Sequence, residues 1–380
     1  MRTIYLDNAA TTPVSDAVRD AIAPFLEAEF GNPSSRHPLG VRAAEALDEA
    51  RRRVARAVGA RARDVLFTSG GTEANNLAVI GAARARGRGR VVIGPTEHPS
   101  VRASAEAVAQ EGFDVEQAEL GPGGVLDLAS WDRLLSEDTV VVAQMLVSNE
   151  LGTIYPVSEV ARLARRRAPR AHVHVDAVQG LGKVELDLDE LGADSLGLSS
   201  HKVHGLKGTG ALVTRAGVRL APLVFGGGQQ GGVRPGTENV VGAVAFGEAA
   251  LRAAGAVAET RRRTAAARAA LARGLEGIEG AELLLPGDER VDAICAVRFP
   301  GAPAEAWQHH LEARGIYASI GSACQAAARE VSPSLAALGL NAEEAKRVMR
   351  FSFSHDTTVE DVEAALEALA SVAPELEALS

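Results

Sequence analysis

The chain has 380 residues, with 40 Lys and Arg against 49 Asp and Glu, a formal charge of −9. That length suits two domains of unequal size, and the acidic balance argues against nucleic acid or an anionic membrane surface as the main partner. Two cysteines, Cys295 and Cys324, make no disulfide framework.

The opening MRTIYLDNAATTP carries no charged-then-apolar leader pattern. No uninterrupted apolar run reaches the roughly 18 residues of a membrane span. The expectation is a soluble protein of a reducing cytoplasm. Strands are predicted over VLFTSG (65–70), RVVIGP (90–95), TVVVAQML (139–146), AHVHVDAV (171–178), ADSLGLSS (193–200) and GALVTR (210–215). Ala-, Arg- and Glu-rich stretches at 72–86, 99–111 and 158–167 read as helices between them. β-branched runs alternating with helices predict an α/β layer with a mostly parallel sheet. Residues 241–279 read as one long Ala-rich helix leading out of this unit. Strands in ELLLP and AICAVRF and helices over 303–314 and 341–350 then predict a smaller α+β domain.

Ligands of open α/β sheets bind beyond the carboxyl ends of the strands, so the residues that follow each strand are the candidates. After VLFTSG come Gly70, Gly71, Thr72 and Glu73. A strand, a glycine turn and a helix start carrying Thr72 suit an anion, through free N–H groups and the positive end of the helix dipole. Taken alone, that segment is better explained as an ordinary tight turn with Thr72 as the helix cap. His172, His174 and Asp176 share one face of a strand by their spacing. They read either as metal ligands, as polar filling, or as a carboxylate at a strand end awaiting a cation. Asp176 is the favoured functional residue, and the histidines are secondary. Lys202 ends a buried run in Ser199-Ser200-His201-Lys202. A desolvated lysine has a lowered pKa and a nucleophilic amine, as a Schiff base requires. A lysine, an earlier strand-end aspartate and a Gly-Thr helix start are together the parts of a pyridoxal-phosphate site.

At these residues the sequence resembles the cysteine desulfurases of the NifS/IscS type, in the class V group of pyridoxal-phosphate aminotransferases. The likeness runs through YLDNAATTPV (5–14), FGNPSSRH (30–37), FTSGGTEANN (67–76), TEHPSV (96–101), SNELGTIYPV (148–157) and HVDAVQGLGKV (174–184). It continues through SLGLSSHKVHGLKGTGAL (195–212), GGGQQGGVRPGTENV (226–240), GSAC (321–324) and MRFSFSHDTT (349–358). The resemblance implies a fold type I transferase: a large domain, 15–255, with a mainly parallel seven-stranded sheet, and a small α+β domain from 1–14 and 256–380.

It also implies roles. Lys202 would carry pyridoxal 5'-phosphate, Asp176 would pair with the ring nitrogen, Gln179 with the phenolic oxygen, and His98 would stack on the ring and is a candidate base. Gly71, Thr72, Ser199 and His201 would hold the phosphate. Thr237 would reach the phosphate of a second subunit, which implies a homodimer. Asn149 and Arg350 would bind the substrate, L-cysteine, with Arg350 forking its carboxylate. Cys324 would take the sulfur as a persulfide and pass it to an acceptor protein, an iron–sulfur scaffold or a tRNA-thiolation protein. Cys295, in an apolar run, reads as a buried small hydrophobe. Leu206 and Pro235 stand where the family usually has Pro and Ser; both bear on loop rigidity. The competing readings are a selenocysteine lyase or another lyase or aminotransferase of the same fold, a metallohydrolase built on HxHxD, and a non-catalytic interaction subunit.

Overall fold

In a computed structural model, which describes residues 2–284, 289–320 and 331–377, the continuous apolar runs become strands covered on both faces. In chain order these are β1 (Ile4–Tyr5), α1 (Asp16–Glu27), α2 (Pro38–Arg56), β2 (Val65–Thr68), α3 (Gly71–Arg86), β3 (Arg90–Ile93) and α4 (Pro99–Gln110). There follow β4 (Asp114–Gln117), α5 (Leu128–Leu134), β5 (Thr139–Met145), α6 (Val157–Arg167), β6 (His172–Asp176), β7 (Ser195–Ser199) and β8 (Gly210–Thr214). Seven of the strands form one sheet in the order β2-β8-β7-β6-β5-β3-β4. Its pairs are parallel except those of β8, which runs antiparallel to β2 and β7. Every residue of β6 and β7 is buried, as two-sided burial of a parallel sheet requires.

The chain continues as α7 (Val240–Gly255), α8 (Val257–Leu275), β9 (Glu282–Leu284), β10 (Ile294–Arg298), α9 (Ala304–Glu312), β11 (Ile316–Tyr317) and β12 (Ser319–Ile320). It ends with α10 (Pro333–Ala337), α11 (Ala342–Ala345), β13 (Val348–Ser352) and α12 (Val359–Glu377). A second, four-stranded sheet runs β12-β13-β10-β9. Its core joins Trp307, Phe299, Phe351 and Leu369 to Ile4 and Leu6, so the first residues of the chain pack with the last. No single described helix is long and apolar enough to cross a membrane.

Two elements differ from the sequence-based expectation. The stretch 241–279 is two helices bent by 70°, because Ala256, after Gly255, leaves helical geometry at φ −107°, ψ 6°. The helix expected over 341–350 lasts one turn. Asn341 and Glu344 close a capping box at its start, and from Val348 a period of two takes over: Met349 and Phe351 enter the second core, and Arg350 turns to the pocket described below. Pairing with β10 and β12 outweighs helix propensity there.

Candidate active site

The pocket is built from the ends of the central strands. Asp176 closes β6, and its Oδ1 accepts from the Val178 N–H at 3.0 Å while Oδ2 accepts from Asn75 Nδ2 at 2.7 Å. Asn75 reaches it from inside α3 because the facing residue of β7 is Gly197, where a Cβ would sit 2.5 Å from Asn75 Oδ1. The other Asn75 contacts are Ser100 Oγ at 2.9 Å and His174 Nε2 at 3.0 Å. Ser195 Oγ then bridges His174 Nδ1 at 2.9 Å and His172 Nε2 at 2.8 Å. Burial lowers the two imidazoles from 6.5 to about 4 for His172 and about 3 for His174, so both are neutral supports behind Asp176, with three of their four ring nitrogens engaged.

Beside β6, β7 ends in Ser199 and a single tight turn, Ser200–Lys202. Lys202 Nζ donates to the carbonyls of Ala9 and Ala10 at 2.6 and 2.7 Å. Gln179 Nε2 donates to the same Ala9 carbonyl at 2.9 Å, and its Oε1 is buried without a partner among the described residues. His201 Nδ1 lies 3.1 Å from Thr11 Oγ1, and burial followed by the charges of Lys202 and Lys207 pushes its pKa down to about 4. Facing this turn is the start of α3. Gly70 precedes it at φ +155° with no side-chain cap, so the first N–H groups of the helix are open to a ligand. A Cβ on Gly71 would sit 2.6 Å from Val178 Cγ2, which leaves glycine as the residue that lets this helix start so close to β6 and β7.

The opposite wall begins at Glu97-His98-Pro99. His98 caps α4, its Nδ1 accepting from the Ser100 N–H at 3.1 Å with Ser100 Oγ 2.8 Å away, and Pro99 takes the first helical position, where its missing N–H costs nothing. Burial holds the His98 pKa below its ordinary value. Arg350, buried on β13, donates through Nη2 to Asp7 Oδ1 and through Nη1 to the carbonyl of Asn149, both at 2.8 Å. Its Nε is buried with no partner among the described residues.

These walls enclose about 320 Å³. Of the residues singled out in the sequence, Gly71, Thr72, His98, Asn149, Asp176, Gln179, Ser199, His201, Lys202 and Arg350 all line this one pocket. Thr237 does not; it is exposed, on a loop tied to α3 by Arg234 Nε and Glu73 Oε1 at 2.9 Å. Cys324 lies outside the described residues. Cys295 is buried, and burial pushes its thiol up to about 12, which makes it an inert core side chain. Sequence reasoning gave no role to Asp7, Asn75 or the carbonyls of Ala9 and Ala10, although Asp7, Ala9 and Ala10 stand in YLDNAATTPV and Asn75 in FTSGGTEANN. An anion cradle, a buried carboxylate, a lysine amine and an inward guanidinium in one hollow suit a charged cofactor together with an amino-acid substrate.

Residues 4–365 match the class-V aminotransferase family model. Cysteine desulfurase IscS 1 of Archaeoglobus fulgidus is 38% identical over 378 residues, covering 99% of this chain and 98% of that protein. Cysteine desulfurase IscS of Dictyoglomus turgidum is 35% identical, over 100% of this chain and 96% of its own. The chain belongs to the class-V aminotransferase family, among its cysteine desulfurases. Members of this family are generally pyridoxal-phosphate-dependent enzymes. A solved NifS-like protein superposes with a TM-score of 0.92 at 32% identity, covering 99% of this chain and 100% of that one. SspA, solved in complex with cysteine, gives 0.81 at 31% identity, over 93% of this chain and 99% of its own. The family match thus spans all three sheets of the fold, the short parallel pair β1-β11 included.

Proposed function

We propose that the pocket holds pyridoxal 5'-phosphate and L-cysteine, and that Cys324 removes the sulfur as a persulfide, leaving L-alanine. The observation that carries this reading is the meeting of Lys202, Asp176, the uncapped start of α3 and Arg350 in one hollow. The donor set fits the cofactor. The open N–H groups at Gly71 and Thr72, with Ser199 and His201, suit a phosphate dianion. Asp176, held by two N–H donors, suits a protonated ring nitrogen. Gln179 brings a buried amide whose Nε2 shares the Ala9 carbonyl with the amine of Lys202, and that N–H group is the donor suited to a phenolic oxygen. When bound, the cofactor supplies an electron sink for bond breaking beside the substrate's α-carbon.

The chain's own groups do the rest. Arg350 binds the substrate carboxylate, its guanidinium aimed by Asp7 and the Asn149 carbonyl. Lys202 Nζ, steadied by the Ala9 and Ala10 carbonyls, is the group placed to move the α proton. His98, kept neutral by burial, presents an imidazole to the same hollow and is the candidate base for the thiol. The Cys324 thiolate attacks the substrate sulfur: an S–S bond forms, the C–S bond breaks, and the carbon that loses sulfur takes up a proton. The flanking chain supports that reach, since Ser319 pairs opposite Arg350 and Pro333 and Ser334 line the pocket. A thiol nucleophile suits a reducing compartment, and we place the protein in the cytoplasm on that ground.

We assign residues 15–255 to a large domain and 1–14 with 256–380 to a small one, a division supported by the core that unites Ile4 and Leu6 with residues 267–376. We assign a homodimer in which Thr237 completes the partner's phosphate site. Its exposure away from its own pocket supports this, as do the neighbouring Val224 and Phe225, the latter 82% exposed. The persulfide would pass to an acceptor protein, an iron–sulfur scaffold or a tRNA-thiolation protein.

The test is alanine formed from L-cysteine by the purified yellow protein with a reductant present. Alanine and sulfide in equal amounts are expected, both lost in Lys202→Ala and Cys324→Ser, with Cys324→Ser still yellow. Undiminished sulfide from Cys324→Ser, or a yellow protein that makes no alanine, would overturn the reading.

A further inference from the structure

A second cavity, of about 360 Å³, lies against the segment that carries the active-site lysine: Lys202 lines both this cavity and the active pocket. The loop after β6 turns into it through Gly182 and delivers Lys183. Lys183 is 8% exposed, and its Nζ makes no hydrogen bond or ion pair with a described residue. An ammonium taken out of water without a partner is costly. The burden is visible in the amine itself, which burial and then the charge of Lys202 push from 10.5 down to about 7.

The rest of the lining has the same sign. Lys202, His204, Arg252 and His355 face the cavity with Lys183, and no Asp or Glu lines it, although the chain carries nine more acidic than basic residues. Arg252 already has an ion-pair partner in Glu248, and the two histidines lie near Asp356 at the cavity's edge. Lys183 is the one of these cations that is buried in the cavity without any such partner among the described residues. The remaining wall is apolar, from Leu181, Val203, Ala249, Ala253 and Phe353. A bare inorganic ion would satisfy the amine but leave this wall against water.

We propose that this cavity binds a small organic anion, a carboxylate on a short apolar body, with Lys183 as its counter-charge. The carboxylate replaces the partner that Lys183 lacks, and the apolar body displaces water from the Ala249–Ala253 wall. The site is distinct from the one that would recognise a substrate carboxylate, which is built on Arg350 across the active pocket.

The experiment titrates the cofactor-loaded enzyme with 4-fluorobenzoate, followed by the fluorine NMR signal. Saturable one-to-one binding in the low-millimolar range or tighter is expected, with inorganic phosphate a poor competitor. Lys183→Met should weaken it at least tenfold. Ala253→Phe, which fills the cavity and keeps every charge, should do the same, so the test survives if Lys183→Met folds badly. Arg350→Lys should leave the affinity within about twofold. No saturable binding, or binding that ignores Lys183→Met and Ala253→Phe and is lost in Arg350→Lys, would overturn the proposal. Equal displacement by phosphate would overturn the organic body as part of it.

Discussion

Arg350 and Asp7 form an ion pair at 2.8 Å across 343 residues of sequence, in a place where the arginine side chain is 6% exposed. One end of the guanidinium is thus held by the N-terminal segment and another by the Asn149 carbonyl at 2.8 Å, so its direction is set before any substrate arrives. Arg350→Lys keeps the charge but presents a single point donor that cannot span both acceptors. Under the proposed role, kcat/KM for L-cysteine should fall roughly 100-fold, the loss of one or two charge-assisted bonds. Asp7→Asn should raise KM about tenfold with a smaller change in kcat. Steady-state kinetics at saturating cofactor checks both, and a KM unmoved in Asp7→Asn would remove Asp7 from substrate positioning.

Asn75 makes three side-chain hydrogen bonds, to Asp176, Ser100 and His174, at 2.7, 2.9 and 3.0 Å. Asn75→Ala leaves Asp176 Oδ2 without that donor. A hydrogen bond to a buried charge contributes about 1.5–3 kcal/mol, so cofactor affinity should drop roughly tenfold or more. Equilibrium dialysis of the cofactor reads this directly, and affinity within about twofold of the parent would mean that Val178 N–H alone is enough.

Asp176 and Lys202 were legible because each ends a continuous apolar run, where a charge is expensive unless it has work or a partner. Asn75 was not. Its position inside α3 gives a helix-surface reading, and its role depends on Gly197, a residue 122 positions later, leaving space for the amide. Asp7 was hidden for the same reason, since nothing local to YLDNAATTPV shows that its carboxylate meets β13. Six of the seven strands of the main sheet were legible because two-sided burial writes itself as apolar runs; the edge strand β4, Asp114–Gln117, was not, because none of its residues is buried. β13 was not, because VMRFS carries a charge on the one face that opens to the pocket and follows directly on a capped helical turn. Local patterns report local structure; the site is made of contacts that no window of sequence contains.

His172 and His174 are neutral in the fold, lowered from 6.5 to about 4 and about 3. The unfolded chain binds protons on both as pH falls below about 6.5, while the folded chain does not. Their contribution is therefore fully present above that pH and is lost on acidification. Each adds about 1.4 kcal/mol per pH unit to the slope of stability between about pH 6 and pH 5. Urea unfolding across that interval should show a slope that His172→Gln reduces by about one proton. An unchanged slope would mean that His172 is charged in the fold or is not buried.

Glu97 has the opposite sign. Its Oε1 accepts from the Met145 N–H at 2.5 Å, and burial followed by the charge of Asp176 raises its carboxyl from 4.5 to about 8. At neutral pH the folded protein keeps this proton and the unfolded chain has released it. Stability from Glu97 is thus fully present below about pH 4.5 and lost as pH rises toward 8, at about 1.4 kcal/mol per pH unit. Glu97→Gln retains an oxygen for Met145 and a permanently neutral side chain, so it should unfold with a flatter profile. The variant's stability relative to the parent should grow between about pH 6 and pH 8, measured by urea unfolding. A difference that stays constant over that range would mean that Glu97 is ionised beside Asp176, and a cation pairing both carboxylates would then have to be found.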